Sequence, residues 1–320
     1  MAKKFKLQTI GYLFLFSFVP TWANVDSNYI IYSPEEMQKH KKICKEKMSS
    51  NPINRKDPTY QMRRALLTLS ADDTDYIPKI IGAGEIFNNE PIAYQLMHNG
   101  IKIVLNCYYD TQWLTDVIYG LKGHHEPQEE KCFYEVLKYI PESAIMIELG
   151  SYWGYYSLWF ASHIKNATNY LIEPDPKRLE IGKKNFELNN KTGIFRRGFV
   201  GKMKDNEPDI KGARWISMDD FIEEEGIDHV HILHADIQGA ESEMLETTVK
   251  HLDHIDYFFI STHSDRNHLP CLRFFKEHQF IILAEHSDAE SFSGDGLIIA
   301  KRKDVPGPDE IPIQKYRGLK

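Results

Sequence analysis

From about residue 126 the chain alternates short apolar runs with amphipathic stretches. Glu126 to Tyr139 has helical spacing, and Ala144 to Leu149 (AIMIEL) is a short apolar run ending in glycine, the pattern of a buried strand. Trp153 to Ile164 reads as a helix, Tyr170 to Glu173 as a strand, Pro176 to Leu188 as a helix with proline near its start, and Gly193 to Val200 as a third strand. Met218 to Glu225 is a short acidic helix, Val230 to Asp236 a strand, Ala240 to Lys250 a helix, Tyr257 to Ser261 a strand and Pro270 to His278 a helix. Phe280 to Ala284 and Leu297 to Lys301 are two closing strands with the turn SGDG between them. Strands that alternate with helices predict an α/β fold, a mostly parallel seven-stranded sheet covered on both faces. The last two strands have no helix between them, which predicts one antiparallel strand.

The chain before this region is less regular. Ser33-Pro34-Glu35-Glu36 offers an N-cap, a proline at the first helical position and a capping-box glutamate, and the lysine-rich stretch to Lys47 continues as a polar surface arm. Residues 61–121 read as a small helix followed by strands. Ile101 to Cys107 alternate after the turn Asn99-Gly100, and Trp113 to Tyr119 read as a partner strand. Residues 24–121 thus form an N-terminal arm and a small entry layer, 122–303 the main domain, and 304–320 a tail kept extended by Pro306, Pro308 and Pro312.

Residues 1–23 are a separate object. Lys3, Lys4 and Lys6 precede the apolar run Leu7 to Val19, Pro20 breaks it, and Thr21-Trp22-Ala23 ends on a small residue. This is the plan of a secretory signal peptide cleaved after Ala23, with an uncleaved membrane anchor as the second choice. The run is short for a spanning helix. Either way the bulk of the chain is expected to be exported, and a membrane is a partner only if the segment stays uncleaved.

Composition narrows the class without naming it. The 320 residues, 42% hydrophobic and 27% charged, are ordinary for a globular chain. The 39 Lys+Arg against 46 Asp+Glu, a formal charge of −7, argue against a nucleic-acid partner by bulk electrostatics. In an oxidising compartment Cys44, Cys107, Cys132 and Cys271 could form up to two disulfides; four buried thiols are an equally good reading.

The chemistry sits after the first regular strand. Open α/β sheets bind ligands beyond the carboxyl ends of their strands, where strand order reverses. Here that segment is Ile147-Glu148-Leu149-Gly150-Ser151-Tyr152-Trp153-Gly154, and the second strand ends in Glu173, a carboxylate placed to accept both hydroxyls of a ribose. A P-loop would need Gly-Lys-Ser/Thr, which is absent, and a dinucleotide site would want glycine at positions held by Tyr152 and Tyr155. S-adenosylmethionine has no phosphates and carries an ammonium and a sulfonium, which suit Glu148. His263-x4-His268-x2-Cys271, with His286, is an incomplete metal set, and no metal is expected.

The segment 147–157 (IELGSYWGYYS), Glu173-Pro174-Asp175-Pro176, Asn185 to Asn189 (NFELN), Met218-Asp219-Asp220-Phe221 and His231 to Glu241 (HILHADIQGAE) together resemble the FkbM family of S-adenosylmethionine-dependent methyltransferases. The resemblance runs from about 122 to 301. It implies a Rossmann-like class I methyltransferase fold and O-methylation of a hydroxyl on a glycan or small metabolite. It places Glu148, Gly150, Ser151, Tyr152, Gly154, Glu173 and Asp175 toward the donor, and Gln238 and Glu241 toward the acceptor. Two departures are Tyr152, where the family often has Asn, and Gln238 in place of the commoner Glu. The base for the acceptor's proton is sought among Asp236, His263 and His125, all expected on the same rim. An exported binding or surface protein that keeps the fold without the reaction is the alternative, and a nicotinamide oxidoreductase ranks third.

Export with cleavage predicts a mature protein beginning at Asn24. N-terminal sequencing of the protein from its own cell fractions should read Asn24-Val25-Asp26, and a start at Met1 or Ala2 would rule cleavage out.

Overall fold

The computed structural model describes residues 28–50, 58–105, 107, 112–201 and 212–318; the segment read as a signal peptide lies outside them. We number the strands of the central sheet β1 (Ile145–Leu149), β2 (Thr168–Ile172), β3 (Ile194–Arg196), β4 (Val230–Ala235), β5 (Ile255–Thr262), β6 (Ile281–His286) and β7 (Gly296–Lys301). Their order across the sheet is β6-β7-β5-β4-β1-β2-β3. All pairs are parallel except those of β7, which runs antiparallel to β5 and β6. Leu149 sits beside Ile172 on one side and Ala235 on the other, so β1, β2 and β4 end level with one another.

The helices are α1 (Pro34–Ser50), α2 (Pro58–Thr68), α3 (Gln112–Gly120), α4 (Pro127–Leu137), α5 (Tyr155–His163), α6 (Pro176–Leu188), α7 (Met218–Glu225), α8 (Glu241–Glu246) and α9 (Asp265–Glu277). Alternate residues of each strand feed two cores. Met146, Leu171, Ile232 and Phe259 pack with Phe133, Trp159 and Phe160 of α4 and α5. Ile147, Ile172, Leu233 and Phe258 pack with Phe221, Leu245 and Phe275 of α7, α8 and α9. Burial on both faces explains why the strands read as continuous apolar runs.

Among the elements that differ from the sequence reading, three change the packing most. Residues 112–120 form a helix, not a strand: Trp113, Leu114, Val117, Ile118 and Leu121 are buried, a helical spacing masked by their β-favouring side chains. The stretch 193–200 splits at Arg197, so that Ile194–Arg196 stays in the central sheet while Gly198–Val200 pairs in parallel with a strand not foreseen, Arg214–Ile216. Helix α1 has the expected capping box, with Ser33 N donating to Glu36 at 2.8 Å and Glu36 N to Ser33 Oγ at 3.2 Å, but it is no loose arm. It buries Met37, Lys41, Cys44 and Met48, one stripe at helical spacing, and Lys41 pairs with Asp72 at 3.0 Å and Asp75 at 2.6 Å. All four cysteines are buried free thiols, and among the described residues no helix is long and apolar enough to cross a membrane.

The NFELN segment has a structural task. Asn185, fully buried, donates Nδ2 to the carbonyl of Trp153 and accepts from the backbone N–H of Val104, both at 2.9 Å. Asn189 makes the matching pair of bonds to the backbone of Lys102, at 2.9 and 2.7 Å. The strand Lys102–Val104 of the entry layer is therefore held by side chains of α6, and through Asn185 it is tied to the turn after β1. The tail closes the other side, where Gln128 Nε2 donates to the carbonyl of Gln314 at 2.6 Å and Gln314 N to Asp73 at 3.1 Å. Asn185→Leu leaves the Trp153 carbonyl and the Val104 N–H without partners at about 1–3 kcal/mol each, so urea denaturation should show a loss of about 2 kcal/mol or more.

Candidate functional site

A cavity of about 300 Å³ opens beyond the carboxyl ends of β1, β2 and β4, where strand order reverses. Its floor is the turn after β1. Gly150 N and Ser151 N both donate to the carbonyl of Ile172, at 2.8 and 3.1 Å, which binds the turn to β2. Gly150 has φ 71°, and a Cβ there would collide with the carbonyl of Asp236, so only glycine lets the ends of β1 and β4 close. Gly154 has φ 68° and is pressed against Leu171 and Phe186, which seats α5 on β2.

Glu173 stands at the end of β2, 2% exposed, and its two oxygens accept from Tyr152 N at 3.2 Å and Asp175 N at 2.9 Å. Burial pushes its carboxyl up; the N–H of Asp175, the Arg178 guanidinium and the N–H of Tyr152 oppose that. Glu148 is buried and accepts from Ser157 N at 3.0 Å, and burial raises its carboxyl as well. Tyr152 holds φ 39°, uncommon for a bulky side chain, and its hydroxyl donates to the carbonyl of Cys107 at 2.9 Å. Arg178 lies over the Tyr152 ring at 4.8 Å. Phe199 and Trp215, from the two short parallel strands, form an apolar wall with ring centroids 5.4 Å apart.

The remaining wall is acidic and imidazole-rich. Asp236 faces the cavity and lies 3.1 Å from Nε2 of His263, whose Nδ1 lies 2.9 Å from Glu241. Burial would lower the His263 imidazole, but Asp236 and Glu241 more than offset it and hold it up at about 10. The same contact overcomes the effect of burial on Asp236 and keeps its carboxyl low. His125 is caught in the same way between Glu126 at 3.3 Å and Glu130 at 2.6 Å, and against the effect of burial it too is held at about 10.

The structure brings Glu148, Gly150, Ser151, Tyr152, Glu173, Asp236, Gln238 and His125 to one cavity. Other expected residues stand elsewhere. Asp175 caps α6, accepting from Lys177 N at 2.7 Å, and does not line the cavity. Glu241 is fully buried behind Asp236, where it accepts from Gly239 N at 3.0 Å, so it shapes the loop and does not reach an acceptor. His263 and His125 are corrected as bases: an imidazole kept protonated between two carboxylates has no lone pair to offer at neutral pH. The metal set does not converge either, since His268 meets Thr262 at 2.8 Å and Glu285 at 3.1 Å while Cys271 lies in the core. The sequence reading missed Phe199, Trp215, Arg178, Tyr156 and His234. For His234 a signal was present, because it lies two residues before Asp236 on a strand, where side chains two apart share a face.

His263 supplies a pH signature. Its proton affinity is higher in the folded chain than the ordinary 6.5, so its pairing stabilises fully below pH 6.5 and fades as pH rises toward about 10. In thermal melts the gap between wild type and His263→Gln should be widest below pH 6.5 and close toward pH 10. A gap that is constant with pH would contradict the pairing.

No protein-family model matches this chain, and no curated protein sequence does. Among solved structures it is similar to M. capricolum TrmK in complex with S-adenosyl-homocysteine, at 15% identity over 54% of this chain and 69% of that one, with a TM-score of 0.38. It is similar to precorrin-6y C5,15-methyltransferase from Geobacter metallireducens, at 12% identity over 53% of this chain and 88% of that one, with a TM-score of 0.37. It is also similar to the hMettl16 catalytic domain in complex with a MAT2A 3′UTR hairpin, at 9% identity over 58% and 74%, with a TM-score of 0.39. One expectation is corrected: net negative charge is no ground for excluding a nucleic-acid partner, because a chain-wide sum does not describe the potential at one face. What identifies the architecture is this chain's own strand order, with β7 antiparallel and the glycine turn at the reversal. The cavity has features that suit S-adenosylmethionine: a cradle at Gly150 that a Cβ would fill, an apolar wall at Phe199 and Trp215, and the carboxylates Glu148, Glu173 and Asp236 at the strand ends. The chain has the Rossmann-like class I methyltransferase fold.

Proposed function

We propose that the protein transfers a methyl group from S-adenosylmethionine to a hydroxyl group of a glycan or small metabolite. The observation that carries this reading is the convergence of Glu173, the Gly150 turn and Asp236 on one cavity at the strand reversal. Glu173 would hold the ribose, Phe199 and Trp215 the adenine, and the turn from Gly150 to Tyr152 the amino-acid end of the donor. Bound there, the donor supplies a methyl carbon already activated by a sulfonium. The chain's task is then alignment of the acceptor and removal of its proton. On the acceptor side, Asp236 and Glu126 present oxygen atoms to the cavity, and carboxylate oxygens accept hydrogen bonds from hydroxyls.

Calorimetry with S-adenosylhomocysteine should show binding in the micromolar range usual for enzyme substrates. Glu173→Ala removes charge-assisted hydrogen bonds worth about 1.5–3 kcal/mol, so its affinity should fall by about 10- to 100-fold. Folded wild-type protein that binds neither S-adenosylmethionine nor S-adenosylhomocysteine would end the proposal.

A further inference from the structure

Three imidazoles stand at or directly behind the cavity wall, and their nitrogens are used differently. His125 and His263 each meet a carboxylate through both ring nitrogens. His234, on β4, has Nε2 2.9 Å from Oε1 of Glu129 on α4, and the other oxygen of Glu129 accepts from Ser261 Oγ on β5 at 2.9 Å. Among the described residues neither ring nitrogen of His234 makes a well-aligned hydrogen bond: Nε2 has only the 2.9 Å contact with Glu129, and Nδ1 has none, although the side chain is only 4% exposed and the residue lines the cavity. Buried polar atoms are almost always hydrogen-bonded, and an orphan beside a ligand cavity marks a place where a ligand completes the set. Catalytic hydrogen bonds of this kind tighten only when the substrate is seated.

We propose that His234 takes the proton of the acceptor hydroxyl, with Glu129 and Ser261 holding the imidazole so that Nε2 carries its proton and Nδ1 is bare. This rests on the methyl-transfer reading and names the base that the reading leaves open. The hydroxyl proton passes to Nδ1, an oxygen lone pair forms the bond to the methyl carbon, and the carbon–sulfur pair stays with the sulfur. The proton on Nδ1 then returns to solvent.

The groups that face His234 are Glu129 and Ser261 behind it, Glu148 on β1, Asp236 beyond it on the same segment and the Tyr156 ring of α5, with centroids 4.5 Å apart. Burial lowers the imidazole's proton affinity; Glu129, then Glu148 and Asp236, more than offset this and raise it above 6.5. Nδ1 should therefore become bare only on the alkaline side of that value, and methyl transfer should share the dependence.

The test uses the full chain and a small methylating reagent, methyl p-nitrobenzenesulfonate, with peptide mapping by mass spectrometry across pH. His234 should be methylated, with a rate that rises with pH and an inflection above 6.5; in Glu129→Gln the inflection should fall below 6.5, because burial then acts with less opposition. Affinity for S-adenosylhomocysteine should stay within about twofold in that variant, since Glu129 does not line the cavity. If wild type binds S-adenosylhomocysteine but His234 stays unmodified while the exposed His278 is methylated, the role of His234 is overturned and the methyl-transfer reading stands. An inflection unmoved by Glu129→Gln also overturns it. If that variant does not fold, the wild-type profile decides alone. Failure of wild type to bind S-adenosylhomocysteine overturns both.

Discussion

The contact between Gly150 and the carbonyl of Asp236 is the constraint on which the site depends. Strands β1 and β4 are neighbours that diverge in sequence, one leading toward β2 and the other toward β5. Their ends must approach closely for the residues beyond them to share a cavity, and the missing Cβ at position 150 permits this. Asp236 N donates to the carbonyl of Leu149 at 3.0 Å, while Gly150 and Ser151 donate to Ile172. A single turn therefore fixes the spacing of three strand ends, and with it the positions of Glu148, Glu173 and Asp236.

Around that turn the molecule buries many ionisable groups. Glu129, Glu130, Glu148, Glu173 and Glu241 are all nearly inaccessible, as are His124, His125 and His234. Burial of isolated polar groups is costly, and each group here meets a carboxylate, an imidazole or backbone donors. Fixed acid–imidazole pairs hold their dipoles in place before any substrate arrives, the arrangement that lowers reorganisation during charge transfer. The entry layer supports the same region from outside. Arg64 of α2 pairs with Asp295 at 3.3 Å, next to His263, and the Tyr152 hydroxyl reaches the Cys107 carbonyl. The layer before the central sheet thus contacts Tyr152 of the cavity and Asp295 beside His263.

Much of the sheet is legible from residue pattern alone. Runs such as Ile145–Leu149 and Val230–Ala235 are apolar on both faces because helices cover both, and a helix of opposite period separates each from the next. Where the pattern misleads, packing overrides propensity. Trp113, Val117 and Ile118 favour strands locally, but their spacing matches one face of a helix packed on the entry layer. Lys41 looks like a solvated lysine in a polar helix, and only the approach of Asp72 and Asp75 from another segment makes its burial tolerable.

By itself the sequence determined the order of the central-sheet strands and most of their helices, the glycine turn and the acids at the strand ends, because these rest on local periodicity and on residues a few positions apart. It could not determine protonation. Read along the chain, Asp236, His263 and His125 are all candidates to accept a proton, with Asp236 ahead of His263 and His125 last. The tertiary structure separates them by placing two carboxylates on each of His263 and His125 and leaving Nδ1 of His234 open. Charge state depends on distances between groups far apart in sequence, such as Glu129 and His234, and those distances exist only once the sheet and its helices have closed.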